Sequence, residues 1–271
     1  MASPSLIRYD KKRLGNAPGI VGVDEAGRGC FAGPVVAGAV WVQRRFYEVS
    51  TPIRRAGFIN DSKQLSHETR EEVFALIEHW EKSGDLIFSS GTASVREIDT
   101  LNILGASRLA MQRAIAGVLE KFSAKAPASA PCPFATAGAD DAPLFDKGIL
   151  FPPMLVDGRP LVPFAWRHEA IVKGDATSLA IALASIVAKV TRDRQMCELD
   201  KTFPHYNFAE HKGYGTPTHI AAIRAHGITP LHRMKFLRNL AANSPQQIAG
   251  LEDLFPPESA APPQSEFAFP Q

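Results

Sequence analysis

The stretch that decides the fold is GIVGVDEAGRGCFAGPVVAGAV, residues 19–40. Two Val-rich runs, Gly19–Val23 and Val35–Val42, predict a pair of buried strands. A glycine cluster joins them, and Asp24 and Glu25 stand where the first strand ends. A buried charge is costly unless it is paired or holds a metal. The acidic pair therefore either turns outward in a plain loop or binds something.

Outward from this stretch, strand and helix patterns alternate. Ser66 precedes the helical pattern HETREEVFALIEHWEK, and Leu86–Ser90 reads as a strand. Residues 100–122 have helical spacing at Leu101, Leu104, Leu109, Ile115 and Leu119. Met154–Val156 and Glu169–Val172 read as short strands, each followed by a turn. Asp175 opens the pattern DATSLAIALASIVAKVTRDRQM, whose Leu179, Leu183 and Val187 share one face. Another short helix is expected near Thr218–His226. The fold class is α/β.

Four regions follow from composition. Residues 1–16 read as an N-terminal tail and 17–200 as the core, interrupted by an Ala/Pro-rich flexible insertion at 124–150. Residues 201–242 read as a basic helical part and 243–271 as a disordered acidic tail. The basic part carries six Lys or Arg against Glu210 alone, and the tail carries four acids without a Lys or Arg. That asymmetry suits a polyanionic partner, whereas the net charge of +2 says little. Cys30, Cys132 and Cys197 form no CxxC pair, which gives neither a disulfide framework nor a zinc site. The longest apolar run, SLAIALASIVA, is too short to cross a bilayer, and residues 1–16 lack the apolar centre of a signal peptide. The expectation is a soluble, cytoplasmic protein with no membrane partner.

GRGCFA, residues 27–32, formally matches the dinucleotide fingerprint G-x-G-x-x-A, with Glu48 about 20 residues on. Against a dinucleotide site, the motif leads into VVAGAVWV and not into a helix whose N-terminus takes a pyrophosphate. Asp24 and Glu25 would also repel that phosphate unless a cation intervened. The acids at strand ends suggest different chemistry. Asp24 and Glu25 follow GIVGV, Asp157 follows MLV, and Asp175 follows AIVKG. Four convergent carboxylates cannot all ionise uncompensated. Two divalent cations would balance them, and all-oxygen donors select Mg²⁺ or Mn²⁺ over Zn²⁺. Taken singly, Asp157-Gly158 is an ordinary turn and Asp175 a good helix N-cap. Neighbouring strand residues also point to opposite faces, so Glu25 needs a bent backbone or its carbonyl to join Asp24.

VDEAGRGCFAGPVVAGAV closely resembles the signature of the ribonuclease HII (type 2 RNase H) family. The resemblance continues in order through DSKQLS (61–66), LNIL (101–104), LVDG (155–158), VKGDATSLAIALASIVAKVTRD (172–193), HKGYGT (211–216) and LHR (231–233). It implies an RNase H-like mixed β-sheet flanked by helices, with a smaller helical C-terminal part. It implies an endoribonuclease that cuts RNA–DNA hybrids and the 5′ side of ribonucleotides embedded in duplex DNA. It places Asp24, Glu25, Asp157 and Asp175 around two metal ions, with Gly27, Arg28 and Gly29 as a ribose-sensing loop. Tyr214 matches the tyrosine that packs on the following deoxyribose. Ser62, Lys63, Lys189 and Arg192 are expected at backbone phosphates. His205, His211, His219 and His232 read as structural.

The chain departs from the family pattern at SLAIALASI, at Gln64 and in the Ala/Pro insertion. Gln264, Phe267 and Phe269 loosely resemble peptides that dock on a sliding clamp, with Asp253-Leu254-Phe255 a second candidate. Nothing in the mechanism asks for more than a monomer. Two other classes remain: a non-catalytic nucleic-acid-binding protein and the dinucleotide-dependent oxidoreductase.

Overall fold

A computed structural model describes residues 4–49, 65–125 and 152–243. In chain order the elements are α1 (Pro4–Leu14), β1 (Gly19–Ala26), β2 (Val35–Gln43), α2 (Arg44–Glu48), α3 (His67–Lys82), β3 (Leu86–Ala93), α4 (Val95–Lys125), β4 (Met154–Asp157), β5 (Glu169–Ile171), α5 (Leu179–Thr202), α6 (Phe208–His211), α7 (Pro217–His226) and α8 (Met234–Asn243). They fall into two units. One comprises Met1–Ala26, Val36–Thr92 and Ser107–Val190; the other comprises Gly27–Val35, Ala93–Ala106 and Thr191–Gln271. The second unit thus differs from the expected C-terminal part. It recruits the loop after β1 and the start of α4, and it begins within α5.

The first unit is built on a mixed sheet of order β3-β2-β1-β4-β5. β1 is antiparallel to β2 and parallel to β4, which is parallel to β5. Every residue of β1 from Gly19 to Asp24 is buried, as are Val35–Val42 of β2, so the Val-rich runs are central strands. Gly22 and Gly38 let helix α5 lie directly on the sheet. A Cβ at Gly22 would stand 2.1 Å from the main-chain carbonyl of Ala180, and one at Gly38 would stand 2.2 Å from that of Ala184. Neither neighbour is a flexible side chain. Gly22→Ala is therefore expected to destabilise the protein by at least about 3 kcal/mol, the upper range for overpacking. Urea unfolding checks this: the midpoint should fall with the slope unchanged.

The N-terminal residues form a helix and not a tail. Leu6 and Leu14 enter the core, and between them Asp10 accepts hydrogen bonds from the Tyr47 hydroxyl and the Ala180 N–H, both at 2.9 Å. Arg13 adds a bidentate pair with Glu169 at 2.6 and 2.8 Å. Ser66 caps α3 through the Thr69 N–H, as its position suggests. Helix α4 starts earlier than its apolar spacing indicates and kinks at Asn102 (φ 59°), whose Oδ1 accepts from the N–H groups of Leu104 and Gly105. The side chain acts as a cap where the second stretch of helix begins.

The second unit has its own core of Ala32, Met196, Leu199, Tyr206, Phe208, Ile223, Leu231 and Leu237. Thr216 caps α7 through the His219 N–H. Among the described residues, no helix is long and apolar enough to cross a membrane. Ser62, Lys63, Gln64, most of the insertion and the clamp-like segments of the tail lie outside the described residues.

Candidate active site

The acids of the first unit are placed by strand pairing. Val23 of β1 lies opposite Val156 of parallel β4, so Asp24 and Asp157 follow at the same end of the sheet. Residues level with one another on neighbouring strands share a face. Gly22, two residues before Asp24, faces α5, and Asp24 takes a hydrogen bond from Ser185 of that helix. Asp24 is 3% exposed. One of its oxygens accepts the Glu25 N–H at 2.7 Å. Burial pushes the Asp24 carboxyl well above the usual carboxylate range, and the charges of Glu25 and Asp157 push it further.

Glu25 keeps regular register opposite Ala37, so the backbone does not bend to turn its side chain. Its charge still reaches Asp24. Asp157 Oδ1 accepts the Gly174 N–H at 2.6 Å, which ties the end of β4 to the turn that carries Asp175. Asp175 is 3% exposed and sits in a 3₁₀ turn, Gly174–Ala176, four residues before α5. It does not cap that helix: Ser178 does, accepting the Ile181 N–H at 3.3 Å. The N-cap reading of Asp175 is thus corrected, because Lys173 takes a left-handed conformation (φ 56°) that turns the chain once before the helix starts.

These donors are all hard oxygens, which suits Mg²⁺ or Mn²⁺. A fully buried carboxyl pressed by two like charges is also the kind of group that a cation would relieve. Among the described residues, no three His, Cys, Asp or Glu side chains stand close enough to enclose an ion in this arrangement. Lys189 is half-buried on α5.

The second unit holds the other residues read from sequence. β1 and β2 are antiparallel, so Gly27–Pro34 is a hairpin connection and the fingerprint-like GRGCFA opens no helix. Gly27 has φ +91°, and a Cβ there would stand 2.0 Å from Arg192 Nε, which explains the glycine. Tyr214 is 42% exposed, with its hydroxyl hydrogen-bonded to the Cys30 side chain. Arg192 is corrected. The i, i+3 spacing with Lys189 suggests a phosphate-facing pair, yet Arg192 is fully buried and donates to the carbonyls of Pro34 (2.9 Å), Lys212 (2.9 Å) and Ala32 (3.2 Å). Arg233, which sequence reasoning passed over, is equally buried. The LHR block was its signal, since arginine behind a glycine loop suits the binding of carbonyls.

His211, His219 and His232 form a buried group in the same unit. His219 and His211 stack with centroids 4.3 Å apart, and His219 Nε2 lies 3.2 Å from His232 Nε2. His205 stacks on His226.

The sheet order and flanking helices are those of the RNase H fold. Bst-RNase HIII, solved in complex with Mn²⁺, matches with a TM-score of 0.58 at 16% identity over 93% of this chain and 75% of that one. RNase HII from Archaeoglobus fulgidus, solved as a PCNA:RNase HII complex, matches with a TM-score of 0.50 at 24% identity over 80% and 94%. At these identities the likeness concerns the fold. The sequence goes further. The family model described as Ribonuclease HII matches residues 21–124 and 159–239. Ribonuclease HII of Paracidovorax citrulli is 44% identical over 240 residues, covering 88% of this chain and 83% of that protein. The chain belongs to the ribonuclease HII family and is an endoribonuclease.

Proposed function

We propose that this endoribonuclease hydrolyses the RNA strand of RNA–DNA hybrids and incises 5′ of single ribonucleotides in duplex DNA, leaving 5′-phosphate and 3′-hydroxyl ends. The observation that carries the reading is Asp24, fully buried and pressed by the charges of Glu25 and Asp157 at one end of the sheet. Membership of the family supports the hybrid substrate, and the Mn²⁺ complex of a fold relative supports a divalent metal. Asp24, Glu25, Asp157 and Asp175 would hold two divalent ions, Mg²⁺ or Mn²⁺. When bound, such ions activate the attacking water and stabilise the departing 3′ oxygen.

The chain's own residues do the rest. Asp24 is held by Ser185 and by the Glu25 N–H, so its oxygens are fixed before an ion arrives. Asp157 is held by Gly174. Gly27, Arg28 and Gly29 follow Glu25 closely along the chain, and their main chain is suited to hydrogen-bond a 2′-hydroxyl, the group that distinguishes RNA from DNA. Tyr214 would pack on the next sugar, and Lys189, with Ser62 and Lys63, would meet phosphates. The tail, with Gln264, Phe267 and Phe269, is the proposed clamp-docking segment; the archaeal complex with PCNA supports that kind of partner. The protein works as a monomer in this reading.

The test is a labelled DNA duplex containing one ribonucleotide, incubated with Mg²⁺, Mn²⁺ or EDTA beside an all-DNA duplex. A metal-dependent nick on the 5′ side of the ribonucleotide, absent from the all-DNA control, is expected. A folded protein that binds the duplex and nicks neither would overturn the reading.

A further inference from the structure

The second unit contains two fully buried arginines whose donors go to main-chain carbonyls. Arg233 donates from Nε to Gly33 O (2.9 Å), from Nη1 to Arg28 O (3.0 Å) and from Nη2 to Pro34 O (3.0 Å). Arg192 donates to Pro34 O, Ala32 O and, from Nη1, Lys212 O at 2.9 Å. Together the two guanidiniums engage the carbonyls of Arg28, Ala32, Gly33 and Pro34. They meet at Pro34, which accepts from both. Burying two cations is unfavourable, and six charge-assisted hydrogen bonds compensate for it.

Arg192 also connects the loop to the turn that bears Tyr214. Lys212 O belongs to that turn, and the Arg192 guanidinium carbon lies 5.9 Å from the Tyr214 ring centroid. Gly27 lies flat against the same guanidinium, since a Cβ there would stand 2.0 Å from Nε. The loop and the turn are further joined by main-chain bonds, Phe31 N–H and Ala32 N–H both donating to Gly213 O, at 2.8 and 3.2 Å. Only a planar fork can serve three carbonyls in fixed directions; an ammonium supplies charge without that geometry.

We infer that Arg192 and Arg233 are positioning residues that set the spacing between the Gly27–Gly29 loop and Tyr214, and through it the preference for a ribonucleotide followed by a deoxyribonucleotide. This rests on the sugar-reading roles proposed above for the loop and Tyr214. By binding carbonyls, the guanidiniums hold the loop from behind. A single embedded ribonucleotide must satisfy both elements at once, one sugar at each. A uniform RNA strand offers a ribose at every step, so a shifted spacing still finds a sugar to read.

The experiment compares single-turnover cleavage of a duplex with one ribonucleotide and of a uniform RNA–DNA hybrid by wild type, Arg192→Lys and Arg233→Lys. A misplacement on the order of 1 Å lowers rate about 10²-fold where two groups must coincide. Both variants should therefore lose about 10²-fold in the rate on the single-ribonucleotide duplex and about tenfold less on the hybrid, with KM nearly unchanged. Circular dichroism and thermal melting identify a variant that has not folded, and Arg233→Lys then carries the test if Arg192→Lys does not fold. Folded variants that lose both activities equally, or neither, overturn the inference. A wild-type protein that cuts the hybrid but not the embedded ribonucleotide refutes the proposed junction reading instead, and that result is separately visible in the same assay.

Discussion

Asp24→Asn is expected to abolish cleavage and, in metal-free buffer, to raise the melting temperature. Both effects have one cause. The Asp24 carboxyl is fully buried, and its ionised form is opposed first by desolvation and then by Glu25 and Asp157. Asparagine keeps an oxygen that accepts the Glu25 N–H and removes the charge. Replacing buried ionic groups by neutral ones of similar volume stabilises by about 1–4 kcal/mol, and about 1–2 kcal/mol is expected here. For a domain of this size that is an increase of roughly 2–8 °C. Catalysis moves the other way. A held divalent ion supplies several kcal/mol of charge stabilisation in phosphodiester cleavage. Each ~1.4 kcal/mol is a factor of ten in rate, so a loss of at least about 10³-fold follows. Adding Mg²⁺ or Mn²⁺ should raise the melting temperature of wild type and leave that of the variant nearly unmoved. A variant that melts below wild type without metal, or retains a tenth of the activity, would refute the assignment.

Acids that end apolar runs are visible in sequence because a strand-end carboxylate interrupts a pattern that otherwise continues. Asp24, Asp157 and Asp175 all carry that signature, and the register of β1 with β4 places the first two at the same sheet end. Asp175 was ambiguous because N-caps and ligands favour the same residue types; the extra 3₁₀ turn, with Ser178 as the actual cap, removes the cap reading. The sheet was legible from its Val-rich runs. Its antiparallel first pair settles against a dinucleotide site, since a G-x-G-x-x-A hairpin has no helix N-terminus to offer.

Other features were hidden for physical reasons. Helix α1 escaped notice because its buried stripe reads Leu6, Asp10, Leu14: a carboxylate sits where an apolar residue would reveal the face. Asp10 is tolerated there because Tyr47 and the Ala180 N–H supply its hydrogen bonds, contacts far away in sequence. Arg192 was misread for the converse reason. An arginine three residues from a lysine on a helix resembles a solvated or phosphate-facing pair, and its burial follows from the carbonyls of a loop about 160 positions earlier. The division of the chain into interleaved units was invisible because a covalently continuous helix, α5, contributes to both.

Lowering the pH from about 7.5 to about 5 is expected to remove about 4 kcal/mol of stability from the second unit, through its buried imidazoles. Thr229 N–H donates to His232 Nδ1 at 2.9 Å, which leaves the proton on Nε2, facing His219 Nε2. His219 then carries its own proton on Nδ1 and donates it to Tyr214 O at 2.9 Å. Gly213 N–H donates to His211 Nδ1, and His211 Nε2 faces Tyr206 O. All three rings are satisfied as neutral groups. Burial holds His219 down at about 4 and His232 at about 3, each also opposed by neighbouring imidazoles; the nearest acids, Glu210 and Asp200, act on His211. The folded state thus binds fewer protons than the unfolded state below the ordinary histidine value of 6.5. Stability is complete above that value and is lost as pH falls through it towards the folded values. At about pH 5 each of the two rings contributes a loss of about 2 kcal/mol. Asp10 in the first unit acts oppositely, since burial raises it to about 6 and its protonation on acidification favours folding by about 1 kcal/mol. Amide protection factors, corrected for the intrinsic pH dependence of exchange, should therefore fall around His219 and His232 while the Asp10–Tyr47 region holds or gains protection. His232→Gln should flatten roughly half of the pH slope. Unchanged protection around His219 and His232 at the two pH values, or an Asp10 region that opens first, would show that these imidazoles are not held neutral by burial.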